Sequence, residues 1–127
     1  MIYKEELQQI KRNKIETLLK KNDYPDDLAN FFRYSSVKSQ TCLLGYFSSI
    51  NNFLNWCVAE NIFNNYKDIG DVKPSHVTKY LTGLIESNYK NSTVVTIQNQ
   101  LSSFFNYLVE EDIIVKSPIL KRNRRLF

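Results

Sequence analysis

Histidine occurs once in this chain, cysteine twice, and glycine and proline three times each among 127 residues. One histidine and two cysteines do not supply a recognisable metal-ligand spacing. Cys42 and Cys57 fall on one predicted helix, about 22 Å apart along its axis at the usual rise, which is beyond disulfide reach. Both read as buried small hydrophobes. His76 stands at a predicted helix start with no Ser or Cys nucleophile patterned beside it, so it reads as a surface or capping residue. There is no glycine-rich phosphate loop and no carboxylate pair in a motif context. The sequence therefore points to no catalytic centre, cofactor or small-molecule ligand.

Few glycines and prolines, with few alternating β-branched runs, also argue against a sheet architecture built on hairpins and favour an all-α fold. Apolar runs of membrane-spanning length are missing, and the first five residues do not resemble a signal peptide. The expectation is a cytoplasmic protein with no membrane partner. Excess charge of one sign is confined to one end. Of seventeen Lys and Arg, five (Lys116, Lys121, Arg122, Arg124 and Arg125) lie in the last twelve positions. Residues 1–115 then hold twelve bases against thirteen acids, so the net charge of +4 describes the tail and not the body.

What is present is helical period. Residues 3–22 form a predicted amphipathic helix with Leu7, Ile10, Lys14, Ile15, Leu18 and Leu19 on one side. A turn at 22–27 contains Pro25, and a short helix over 27–34 buries Leu28, Phe31 and Phe32. A long helix over 39–60 carries the stripe Leu43, Phe47, Ile50, Leu54 and Cys57, widened by Tyr46, Phe53 and Val58, with Thr41, Gly45, Ser48, Asn52 and Asn55 opposite. An Asn-rich loop follows, anchored by Ile62, Phe63, Tyr66 and Ile69 and broken at Gly70. Pro74 then opens a helix with Val77, Tyr80, Leu81, Leu84 and Ile85 inward. Gly83 within it implies a close helix contact, because glycine there costs about 1 kcal/mol against alanine. The eight tyrosines fall on core stripes or in turns and read as amphipathic packing residues.

The last helix is the most informative stretch. Ser92 reads as its N-cap, and Ile97, Leu101, Phe104, Phe105 and Leu108 give an inward stripe. Ser92, Thr96, Asn99, Ser103 and Asn106 fall opposite. No charged residue occurs from Asn91 to Val109. An ordinary solvated face carries Lys and Glu pairs, whereas a row of small neutral hydrogen-bonders suits another polar surface or the edges of bases.

The ordered set Ser92-Thr93, Leu101-Ser102-Ser103, Phe104-Phe105, Tyr107-Leu108 and Ser117-Pro118 resembles the last main helix and exit of the core-binding domain of tyrosine recombinases, the phage-integrase family. Upstream, Ser39, Tyr46 and Trp56 in SQTCLLGYFSSINNFLNWC also fit. The resemblance implies a small orthogonal bundle of four to five helices of the SAM-like integrase N-terminal type. It assigns residues 1–35 to a helical extension, 36–118 to the core-binding domain, and 119–127 to a basic linker toward a catalytic domain. The family's catalytic pattern of Arg, Lys, His-x-x-Arg and a late Tyr is not found in this chain. No strand exchange is expected of the chain by itself.

By resemblance the partner is double-stranded DNA at a recombination core site, together with other recombinase subunits, in a bacterial, phage or transposon setting. The residues so implicated are Lys38, Ser39 and Gln40 at one helix start, and Lys90, Ser92, Thr93, Thr96, Asn99 and Ser103 on the last helix. Lys121, Arg122, Arg124 and Arg125 follow in the linker. Ser and Thr hydroxyls and helix N-terminal N–H groups suit phosphate, while Asn and Gln can pair bidentately with adenine. This chain departs from the family where Thr96, Ser102 and Ser103 stand at places often basic, and Cys42 where Thr is common. The alternative expectation is a helical protein–protein interaction module whose neutral faces do not meet DNA.

Overall fold

Residues 4–34 and 40–119 of the computed structural model are described here, and among them every regular element is helical. In chain order these are α1 (Lys4–Lys21), α2 (Asp26–Tyr34), α3 (Gln40–Ala59), α4 (Pro74–Glu86) and α5 (Asn91–Glu110). A 3-10 turn over Tyr66–Asp71 precedes α4. The chain divides into two compact units, Met1–Ser48 and Ser49–Phe127, and the division falls within α3.

The first unit is held by aromatic packing. Ile15 and Leu19 of α1, Tyr24 of the turn, Leu28, Ala29, Phe31 and Phe32 of α2, and Leu43 and Phe47 of α3 are all buried. The Phe47 ring lies 5.4 Å from that of Tyr24 and 5.5 Å from that of Phe32, and the latter pair meets edge to face. At the edge of this core Arg33 joins α2 to α1. Its Nε donates to Glu16 Oε1 at 3.0 Å, its Nη2 to Glu16 Oε2 at 3.3 Å, and its Nη1 to Asp26 Oδ1 at 3.0 Å. The hydrogen bonds to Glu16, then Asp26, push its pKa above the ordinary value. The predicted inward face of α1 is narrower than expected. Ile10 is 53% exposed, Lys14 is exposed and Leu18 half-buried, and the Leu7 side chain lies outside the described residues.

The second unit is organised around Phe53. Its ring is 5.0 Å from Tyr80 on α4, 6.1 Å from Phe105 on α5 and 6.0 Å from Trp56 on its own helix. Ile50, Leu54 and Cys57 continue the buried face of α3, as its stripe predicted, and Gly45, Ser48, Asn52 and Asn55 are exposed. Val58 was expected inside and is 38% exposed, and Cys42 is exposed where a buried thiol was expected. The Asn-rich loop keeps Phe63 and Ile69 buried, but its second half closes into the 3-10 turn, where the Asn65 side chain accepts from the Lys67 N–H. Pro74 occupies the first turn of α4, and His76 Nδ1 accepts from the Lys73 N–H at 3.0 Å, a capping role. The close contact expected at Gly83 does not exist, since a Cβ there would meet nothing within 4 Å.

Four helices end in the same way. Asp23, Asn61, Asn88 and Asp112 adopt positive φ, between 55° and 70°. In each case the next N–H reaches back five residues: Tyr24 to Leu19, Ile62 to Cys57, Tyr89 to Leu84 and Ile113 to Leu108. This is the Schellman arrangement, with Asn or Asp at the left-handed position that glycine usually fills.

Three outcomes are expected. Gly83→Ala stabilises the protein by about 0.5–1 kcal/mol in urea denaturation, because alanine relieves the helical entropy cost and fills only open space. Burial pushes the Cys57 thiol up to about 12 from 9.0. Burial, then the charges of Tyr89 and Cys57, push Tyr80 up to about 12 from 10.0. The unfolded chain then loses these protons first, so their contribution is fully present below about 9 and stability falls as pH rises from there toward about 12. Urea midpoints at pH 8 and pH 10.5 check the sign, and a thiol reagent is expected to label Cys42 rapidly and Cys57 only after unfolding.

Candidate functional site

The site is the outer face of α5, and its direction follows from what the inner face buries. Val94, Gln98, Leu101, Ser102, Phe104, Phe105 and Leu108 are buried. That face is wider than the predicted stripe, and it is centred differently. Ile97 is half-buried and Val94 fully so, because the row 94, 98, 101, 105 is the more central one. With that face inward, Ser92, Thr93, Thr96, Asn99 and Asn106 stand exposed and Ser103 is half-buried at the margin. Ser102, expected at a place where the family is often basic, is instead only 4% exposed and cannot take part in an outer row.

The N-terminus of α5 differs from the expectation. Helix begins at Asn91, and Lys90 is the N-cap at φ −64° and ψ 144°, so Ser92 lies within the first turn and caps nothing. The cause is the tight exit from α4. Tyr89 closes the left-handed cap at Asn88, and only Lys90 separates it from the first helical turn, whose Val94 N–H donates to Lys90 O at 3.0 Å. No side chain caps this end. The N–H groups of Asn91, Ser92 and Thr93 therefore point outward without an intrahelical acceptor, the usual state of a helix start. Thr96 Oγ1 donates to Ser92 O at 3.0 Å, which leaves its lone pairs free to accept. Along the flank, Ser49 Oγ donates to Gln100 Oε1 and ties α3 to α5.

The remaining candidates are distributed unevenly. Lys90, Ser92, Thr93, Thr96, Asn99 and Ser103 share one helix and its start. Gln40 is the first residue of α3, but its side chain lies outside the described residues, as do Lys38 and Ser39. Lys121, Arg122, Arg124 and Arg125 also lie outside them. Asn106 is exposed and extends the row by one turn, as its place on the polar face predicted, whereas Tyr89, 48% exposed beside Lys90, was not singled out by sequence. Nothing in the pattern marks Tyr89 as exposed.

Electrostatically the face is blank. Residues 49–119 carry five lysines against seven carboxylates, and α5 contributes no charge before Glu110. Lys79 is engaged with Glu60 at 3.6 Å. The described residues contain no group of His, Cys, Asp or Glu able to hold a metal ion, and no described helix is long and apolar enough to cross a membrane. The arrangement offers hydroxyl and amide hydrogen-bonding groups on a rigid helix with an open N-terminus, and no reactive centre.

A family model described as phage integrase, N-terminal SAM-like domain, matches residues 26–114, which covers α2 through α5. No curated protein and no solved structure matches the chain.

The inner face of α5 contains one unmet polar group. Gln98 is 1% exposed and its amide Nε2 has no hydrogen-bond partner. Gln98→Leu is expected to raise the unfolding free energy by about 1 kcal/mol, since it removes a buried donor at similar volume. Thr96→Ala and Asn99→Ala, on the outer face, are expected to change it by less than about 0.5 kcal/mol. Urea denaturation of the three variants tests both statements.

Proposed function

Since the chain belongs to the phage-integrase N-terminal SAM-like domain family, we propose that it is the DNA-gripping, core-site-binding part of a tyrosine recombinase, with strand cleavage carried by another domain. The observation that carries this reading is the uncharged polar row Ser92, Thr93, Thr96, Asn99 and Ser103 on α5, beside an uncapped helix start. A helix of this kind can approach DNA with its N–H groups at a phosphate and its Asn and Thr side chains at base edges. The row spans about 16 Å from Ser92 to Ser103 at the helical rise, enough for several base pairs.

A neutral reading face supplies little counterion release. In this proposal affinity comes from Lys90 and from the linker cations Lys121, Arg122, Arg124 and Arg125, with Lys38, Ser39 and Gln40 at the start of α3 as a further contact. Residues 1–35 act as a helical extension, 36–118 as the core-binding domain and 119–127 as the linker. One observation favours a second reading, a helical module for protein contact: the surplus of carboxylates over lysines in residues 49–119, which repels phosphate.

Fluorescence anisotropy against duplex carrying the element's inverted core repeats, and against scrambled duplex, separates these readings. Core DNA is expected to bind more tightly. Neutralising the four linker cations to Gln is expected to reduce the salt slope by about 4 while preserving the preference, at roughly one counterion per phosphate. Thr96→Ala with Asn99→Ala is expected to cost about 1–3 kcal/mol of the preference while leaving the slope unchanged. Equal weak binding to both duplexes, with no shift of the Thr96, Asn99 and Ser103 amide signals, overturns the DNA reading in favour of protein contact.

A further inference from the structure

A groove of about 630 Å3 lies away from the α5 row, between the chain leaving α5 and the approach to α4. This volume falls within the range of about 300–1,000 Å3 common for binding clefts. Val72, Pro74, Ile114 and Pro118 contribute apolar surface, and Val115 stands at its side 96% exposed. A Cβ at Gly70, itself exposed, would stand 3.8 Å from Ile114 Cγ2, so the two lining segments lie side by side.

Three features restrict what would fill it. The charged residues lining it are Lys73 and Lys116, and no carboxylate lines it, although carboxylates outnumber lysines in residues 49–119. Neither lysine has an ion-pair partner among the described residues. Val115 and Lys116 lie in bends of the chain, and among the described residues neither makes a backbone–backbone hydrogen bond. DNA offers phosphate to the lysines but nothing apolar for the exposed Val115. An acidic peptide offers both carboxylates and apolar side chains.

We propose that this groove is a docking site for an acidic peptide segment of a partner protein, a large apolar side chain of which covers Val115 while flanking carboxylates meet Lys73 and Lys116. An exposed valine at the rim of an apolar cleft loses most of its water contact when such a segment is seated, which supplies the driving force. The lysines fix the sign of the partner and speed encounter more than they add affinity.

The test uses the full 127-residue chain and two fluorescein-labelled peptides that alternate Leu or Phe with Glu in one and with Lys in the other. Anisotropy is expected to show binding of the Glu peptide alone. Val115→Asp is expected to weaken it at least tenfold, about 1.4 kcal/mol. Because Val115 is exposed, this variant should keep its circular dichroism spectrum. Lys73→Glu with Lys116→Glu is expected to reverse the preference toward the Lys peptide. Equal binding of both peptides, no binding at millimolar concentration, or indifference to Val115→Asp overturns the proposal. Concentration-dependent mass in light scattering that Val115→Asp abolishes would overturn it in favour of a second copy of this chain. Weakened DNA binding by the double lysine variant, without peptide binding, would overturn it in favour of phosphate. Failure of the α5 variants to affect DNA leaves this site untouched, so the two outcomes remain separable.

Discussion

The rotation of α5 about its own axis is the constraint on which the rest of the candidate site depends. Leu101, Phe104, Phe105 and Leu108 are wholly buried, and Phe105 meets Phe53 edge to face at 6.1 Å. Each buried side chain of this size is worth about 1.5–3 kcal/mol, so turning the helix by one residue would forfeit several of them together. The Ser49 to Gln100 hydrogen bond holds one flank. With rotation fixed, the identity of the outer row is no longer a free choice: Thr96 and Asn99 face outward because phenylalanines at 104 and 105 cannot. Any recognition by this face is thus preorganised by hydrophobic packing behind it.

The helices were legible in the sequence because their apolar residues keep the helical period, and α2 and α3 bury the stripes so indicated. Less was legible at single positions, for identifiable reasons. Gln98 and Ser102 are polar yet lie on the inner face of α5, so a count of hydrophobic residues places the stripe one column away, at Ile97. Ser92 has the chemistry of an N-cap, but the Asn88 and Tyr89 cap on α4 leaves room for only Lys90 before the helix. Gly83 suggested close packing and instead faces open space, and Cys42 has a buried residue's preference at an exposed site. Propensity is a local property, and burial is decided by the neighbours. The polar row on α5 was legible as a face, because absence of charge over nineteen residues is a property of the sequence itself. The groove was not, since Val72 and Val115 are far apart in sequence and only the exit from α5 brings their segments together.

Membership of the phage-integrase N-terminal SAM-like family makes the charge distribution informative. The proposed division of labour separates reading from holding: a neutral helix presents hydrogen-bonding groups, while cations on either side of it supply attraction to the DNA backbone. A reading face with few cations has little affinity for DNA of the wrong sequence, which favours discrimination over residence. The groove carries its own small positive rim and an apolar floor, a combination unlike that of the α5 face. The second unit thus presents two surfaces of different chemistry.

The four left-handed helix exits at Asp23, Asn61, Asn88 and Asp112 also bear on the unfolded chain. Asn and Asp accept this conformation with some strain, whereas glycine accepts it freely but surrenders more backbone freedom when folded, a loss of about 0.5–1 kcal/mol. The two effects oppose each other, so the scarcity of glycine need not weaken the corners. It also narrows the conformations each corner samples before folding. The turns that set the order of the helices are thereby biased by residues already at the bend, and the unfolded ensemble begins its search with fewer ways to go wrong.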